Sequence, residues 1–249
     1  MKVSIFANFK MHFSDIEITK YINRFNSLEL KDTQLILCPS FVSLHLAKKV
    51  KNKNISFCAQ NMNQSESGKF TGEISGKMIT STGTKYVLIG HSERRTHYKE
   101  NDDTINKKVL KALQDGLRPV VCVGENLKQK KNQKTEEILC SQIKSALQNV
   151  YTNEVPHITI AYEPVWAIGT GVVATTKDIE NAVKIKKKSI NKFFDKEYLD
   201  KLYILYGGSV DLSNYKSILK CEGITGLLVG GACLDLDKFE EMIKGCTNE

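Results

Sequence analysis

Eight short apolar runs, separated by stretches of helical period, recur along the 249-residue chain and restrict its possible folds more than any other feature. They are Val3 to Phe9, Leu35 to Cys38, Ile55 to Ala59, Tyr86 to Ile89, Pro119 to Val123, Ile158 to Tyr162, Leu202 to Tyr206 and Gly226 to Val229. Most are continuously apolar, the pattern of strands covered by helices on both faces, so the spacing predicts a parallel sheet. Between the first two runs, Ile18, Tyr21, Ile22 and Phe25 stand at i, i+3, i+4 and i+7 on one helical face. Ser14 with Glu17, and Thr175 with Asp178, have the spacing of capping boxes that open helices.

No Pro-rich or Ser-rich linker interrupts the alternation, and each unit averages about 31 residues, enough for a strand, a helix and two loops. Residues 1–249 are therefore expected to form a single domain. A doubly wound open sheet fits the alternation too. Eight strands in about 250 residues favour a closed (β/α)8 TIM barrel, eight parallel strands ringed by helices. In such a barrel, chemistry collects at the C-terminal ends of the strands.

Composition excludes some classes of function. Hydrophobic residues make up 41% and charged residues 26%, too much apolar material for a disordered chain. No window approaches the roughly 20 apolar residues of a bilayer crossing, and no signal-peptide pattern follows Met1 and Lys2, so a soluble cytoplasmic protein is expected. The seven cysteines, Cys38, Cys58, Cys122, Cys140, Cys221, Cys233 and Cys246, form neither a CxxC pair nor a dense framework, against a disulfide scaffold or structural zinc site. A net charge of +8 favours anionic small molecules and would also attract nucleic acid. The lysine clusters 128–134 and 184–188 lack interleaved aromatics and read as solvated helix faces. No membrane or nucleic-acid partner is expected.

The polar residues at the strand ends are the candidates for chemistry. Glu163 closes the sixth run beside the apolar Val165-Trp166-Ala167-Ile168, where covering its carboxylate would destabilise the charge and suit a general base. His91 stands where a strand gives way to a helix, and the positive end of the helix dipole disfavours imidazolium there, leaving a neutral hydrogen-bond donor. Asn8 and Lys10 follow the first run, and Lys10 would supply a fixed positive charge at the barrel mouth. His12, His45, His97 and His157 lack a comparable setting and are expected to be structural. Gly207-Gly208-Ser209 and Gly230-Gly231 end the last two runs, where barrel loops commonly bind phosphate through bare backbone amides. Ala167 to Gly171 reads as a loop able to close as a unit, and neither a Walker A loop nor a GxGxxG fingerprint is present.

These strings, in order, resemble the triosephosphate isomerase family. The resemblance rests on Asn8-Phe9-Lys10-Met11, Gln60-Asn61, Phe70-Thr71-Gly72-Glu73, Ile89-Gly90-His91-Ser92-Glu93-Arg94-Arg95, Cys122-Val123-Gly124-Glu125, Tyr162 to Gly171, Tyr206 to Val210 and Val229-Gly230-Gly231-Ala232. It implies interconversion of dihydroxyacetone phosphate and D-glyceraldehyde 3-phosphate through an enediolate, with neither metal nor organic cofactor. By resemblance, Glu163 is the base and His91 the electrophile, while Lys10 and Asn8 stabilise the enediolate oxygens. Glu93 is the acidic residue beside Lys10 and His91, and the amides of Gly169, Ser209, Gly230 and Gly231 hold the phosphate. The same resemblance makes Gln60 to Glu73 an interdigitating loop of a homodimer, with Thr71 reaching toward the partner subunit's Asn8 and the partner subunit's Lys10. Two positions depart from the family pattern: Val172, where lysine is usual at the loop's C-terminal hinge, and Cys233, where serine is common. Two competing readings stay open: another phosphate-binding barrel that forms a Schiff base on Lys10, and a protein that binds nucleic acid through its basic surface.

Overall fold

The computed structural model describes residues 2–168, 172–194 and 202–247. All eight runs are strands: β1 (Val3–Asn8), β2 (Thr33–Cys38), β3 (Ile55–Ala59), β4 (Tyr86–Ile89), β5 (Arg118–Val123), β6 (Thr159–Tyr162), β7 (Tyr203–Tyr206) and β8 (Gly226–Val229). Each pairs in parallel with the next, and β8 returns to β1 with Ser4 opposite Gly226, which closes the barrel and rules out the open doubly wound sheet. Around it run α1 (Asp15–Asn26), α2 (Gly76–Ser81), α3 (Ser92–His97), α4 (Asp102–Gln114), α5 (Leu127–Lys131), α6 (Thr135–Ala146), α7 (Thr176–Ile190), α8 (Tyr215–Leu219) and α9 (Leu236–Thr247). Among the described residues, no helix is long and apolar enough to cross a membrane.

Both expected helix starts form. At α1 the Glu17 carboxylate accepts from the Ser14 N–H at 3.0 Å and from its hydroxyl at 2.5 Å. At α7 the box is reciprocal: the Asp178 carboxylate accepts from the Thr175 N–H at 3.0 Å, while the Thr175 hydroxyl accepts from the Asp178 N–H at 3.2 Å. Ile18, Tyr21, Ile22 and Phe25 are all buried against the barrel, as their spacing predicts.

Side chains alternate across each strand, and the alternation sorts the apolar residues into two cores. Phe6, Ile36, Leu88, Val120, Leu205 and Leu228 belong to a cluster built from strand residues alone, which is the inside of the barrel. Their neighbours Ile5, Leu35, Val87, Val121, Ile204 and Leu227 face the larger layer shared with the helices. The same parity carried past the strand ends turns Asn8, Gly124, Glu163, Gly207 and Gly230 toward the barrel mouth.

One expectation fails on α7. Lys184, Lys187 and Lys188 are exposed as a solvated face requires, but Lys186 is 0% exposed. Its register matches the buried Ile179, Ala182, Val183 and Ile190, so it sits on the face that the helix docks against the barrel. Of the seven cysteines, only Cys140 is even partly exposed.

Candidate active site

Asn8, Lys10, His91, Glu163, Ser209, Gly230 and Gly231 line one cavity of about 770 Å³ at the C-terminal ends of the strands. His12, expected to be only structural, also reaches its edge. Gly169 lies outside the described residues, as does part of the expected closing loop; Val172 is exposed.

Glu163 is the residue after β6 and is 2% exposed. The end of β5 approaches it closely: a Cβ on Gly124 would stand 1.7 Å from the Glu163 carbonyl oxygen, so no other residue fits there. One carboxylate oxygen lies 3.0 Å from His91 Nε2, and the other accepts from the Ser92 N–H at 2.9 Å. The destabilisation expected from its apolar neighbours is only one side of the balance. Burial does push the Glu163 carboxyl up, but the His91 ring, the Ser92 N–H and Lys10 outweigh it and hold it below the usual carboxylate range.

His91 is the N-cap of α3, and Gly90 before it, at φ +71°, reverses the parity of β4 so that the ring enters the mouth. Its Nδ1 accepts from the Glu93 N–H at 3.2 Å, which requires that nitrogen to be bare and places the ring proton on Nε2, toward Glu163. Burial disfavours imidazolium, while the Glu163 carboxylate and then Glu93 favour it, and the balance lies above the ordinary imidazole value. A second ring proton would therefore be stabilised by charge but would break the cap. The neutral ring is the form this hydrogen-bond geometry holds.

Lys10 adopts a left-handed backbone, φ 50°, unusual for a side-chain-bearing residue and a local strain of order 1 kcal/mol. Two bonds support it: the Lys10 N–H donates to Asn8 Oδ1 at 3.1 Å, and Gln60 Nε2 donates to the Lys10 carbonyl at 2.8 Å. The Lys10 ammonium is paired with Glu93 at 2.5 Å, so it serves as a cation and not as the free amine a Schiff base needs. Asn8 Nδ2 lies 3.3 Å from His91 Nε2, which puts Asn8, Lys10, His91, Glu93 and Glu163 in one connected group.

Past the end of β8, which pairs with β1, the backbone is bare. A Cβ on Gly231 would meet nothing within 4 Å, and one on Gly230 only the Lys10 side chain at 3.6 Å, so an anion can approach these amides closely.

One contributor escaped the sequence reading. Glu125, after β5, is 1% exposed and accepts from Tyr162 Oη at 3.1 Å and from Trp166 Nε1 at 2.9 Å. Its carbonyl also accepts from the Val165 N–H at 3.1 Å. Its signal was the one that marked Glu163, a carboxylate just past a strand end.

A family model described as "Triosephosphate isomerase" matches residues 3–246. Triosephosphate isomerase of Finegoldia magna is 40% identical over 245 residues, covering 97% of this chain and 98% of that protein. The protein of that name from Thermoanaerobacter sp. strain X514 is 42% identical over 242 residues, 96% of this chain and 97% of its own. That of Thermodesulfovibrio yellowstonii is 41% identical over 246 residues, covering 98% and 99%.

Proposed function

The chain belongs to the triosephosphate isomerase family, and on that premise we propose that Glu163 and His91 carry out the proton transfers of the family's reaction at the barrel mouth. The chain interconverts dihydroxyacetone phosphate and D-glyceraldehyde 3-phosphate. A glutamate base paired with a neutral histidine is the family's own known pattern, carried onto these two residues by resemblance.

Glu163 takes a proton from the carbon next to the carbonyl. The negative charge moves to the oxygens of an enediolate, His91 moves the hydroxyl proton from one oxygen to the other, and Glu163 returns its proton to the neighbouring carbon. His91 Nε2–H and Asn8 face those oxygens, and the Lys10 ammonium balances their charge. Glu93 keeps Lys10 in place through the 2.5 Å contact. The amides of Ser209, Gly230 and Gly231, with Gly169 from the closing loop, bind the phosphate, whose binding energy helps close the loop over an intermediate prone to eliminate phosphate. The observation that carries this reading is the buried contact of 3.0 Å between a carboxylate held ionised and a histidine whose other nitrogen is tied to a backbone N–H.

The working unit in this reading is a homodimer of single-domain subunits in the cytoplasm, joined through Gln60 to Glu73. Exposed Met11, Phe70 and Met78 supply apolar surface that an interface there would bury. The test is isomerisation of glyceraldehyde 3-phosphate in deuterated water. Turnover with deuterium entering the product at the carbon beside the carbonyl supports a single exchangeable base, and turnover without any exchange, as in a hydride shift, contradicts it.

A further inference from the structure

Lys186 is fully buried, and among the described residues its Nζ has no hydrogen-bond partner. It occupies a place on α7 that the helical period reserves for an apolar side chain, and an ammonium desolvated there needs a negative counterpart. The Nζ lies 4.8 Å from the centroid of the Tyr162 ring, within cation–π range. The Tyr162 hydroxyl is bonded in turn to the buried Glu125 carboxylate. Through Tyr162 Oη, Val165 N–H and Trp166 Nε1, Glu125 ties the segment from Tyr162 to Trp166 at three points, and Glu163 lies between them.

We propose that Lys186 is a positioning residue for the isomerisation: its buried ammonium, over the Tyr162 ring whose hydroxyl is bonded to Glu125, supplies the charge that keeps this three-point clamp in place. Without the cation, Glu125 faces only neutral donors, and the segment that presents Glu163 and starts the closing loop loosens. The catalytic consequence rests on the isomerase reading, whereas the clamp itself does not.

Burial pushes the Lys186 ammonium down to about 7, with Glu125 pulling the other way, so the clamp's charge changes near neutral pH. The charged group that acts on it is Glu125 after β5; the Tyr162 ring on β6 lies beneath its Nζ, Tyr206 packs edge-on against Tyr162, and Asp178 stands about two turns away at the start of α7. Lys130 on α5 stacks on the Trp166 ring and is paired with Asp178 at 3.0 Å, and the exposed Lys188–Glu136 pair joins α7 to α6.

Trp166 is the chain's single tryptophan, so its emission reports the clamp directly. Emission, kcat and KM are measured from about pH 5.5 to about pH 9 for the wild type and for Lys186→Met, which keeps the stem and removes the charge. The expected result is an emission transition near neutral pH in the wild type that is absent from Lys186→Met. That variant's kcat at the acid end is expected to fall roughly tenfold, with KM changed much less, as for a displaced reacting group. A transition of the same midpoint in both proteins, or a variant with wild-type kcat and pH profile, overturns the proposal. Glu125→Gln is the second variant: it keeps a hydrogen-bonding partner but removes the charge that holds Lys186 protonated, so the emission midpoint should move to lower pH, and an unmoved midpoint also overturns the proposal. A wild type without turnover would contradict the isomerase reading instead, and the emission result would still decide the clamp.

Discussion

Glu163 stays ionised inside a barrel mouth because a ring N–H, a backbone N–H and a nearby ammonium compensate its burial, and that compensation sets the pH dependence of the site. Glu163 and His91 titrate as a pair, and the active form has the carboxylate charged and the ring neutral. Glu93 raises the His91 value, so Glu93→Gln should move the acid limb of kcat/KM to lower pH even as the loss of the Lys10 contact lowers its height. An acid limb unmoved in that variant contradicts the assignment. Lys186 has the opposite sign. A lysine whose folded value is depressed to about 7 destabilises the fold below that pH, and the penalty fades as pH rises toward its unfolded value near 10.4. Wild-type stability should therefore rise relative to Lys186→Met between those limits, and at neutral pH the variant should be the more stable protein by a few kcal/mol in urea unfolding.

At the scale of elements, the strands, their parallel order and both capping boxes were legible because each depends on residues close in sequence. Thr175→Ala should remove the hydroxyl that accepts the Asp178 N–H and destabilise α7 by about 1 kcal/mol, lowering the melting temperature by roughly 2–4 °C, readable by calorimetry. An unchanged Tm would show that Asp178, held by Lys130 at 3.0 Å, caps the helix alone. The candidate residues at the strand ends were legible for the same reason as the strands, since parity carries Asn8 and Glu163 inward. What escaped depends on distant partners. Glu125 is set apart only by its donors Tyr162 and Trp166, 37 and 41 positions away, and Lys186 only by the rotation at which α7 docks, which a run of lysines conceals. The direction of the Glu163 shift was missed because burial can be read from apolar neighbours, whereas the opposing His91 ring and Ser92 N–H come from another strand's end.

For the whole molecule, closure of the barrel brings residues from β1, β4, β6, β7 and β8 to one cavity, and a net charge of +8 surrounds it. The summed field should draw in the anionic substrate, so kcat/KM is expected to fall as ionic strength rises while kcat changes little; a flat response would assign the charge to solubility alone. Thr71→Arg places a cation on the loop proposed to enter the partner, and sedimentation should then show monomers of low activity. A Thr71→Arg dimer with full activity would remove this loop from the interface. The most direct test of the site is the turnover of glyceraldehyde 3-phosphate by Glu163→Gln beside the wild type, with circular dichroism on both. The expected result is an unchanged fold with kcat lower by about 10²- to 10⁴-fold or more, the usual worth of a positioned base. A folded Glu163→Gln protein turning over at the wild-type rate would contradict the assignment of Glu163 as the base.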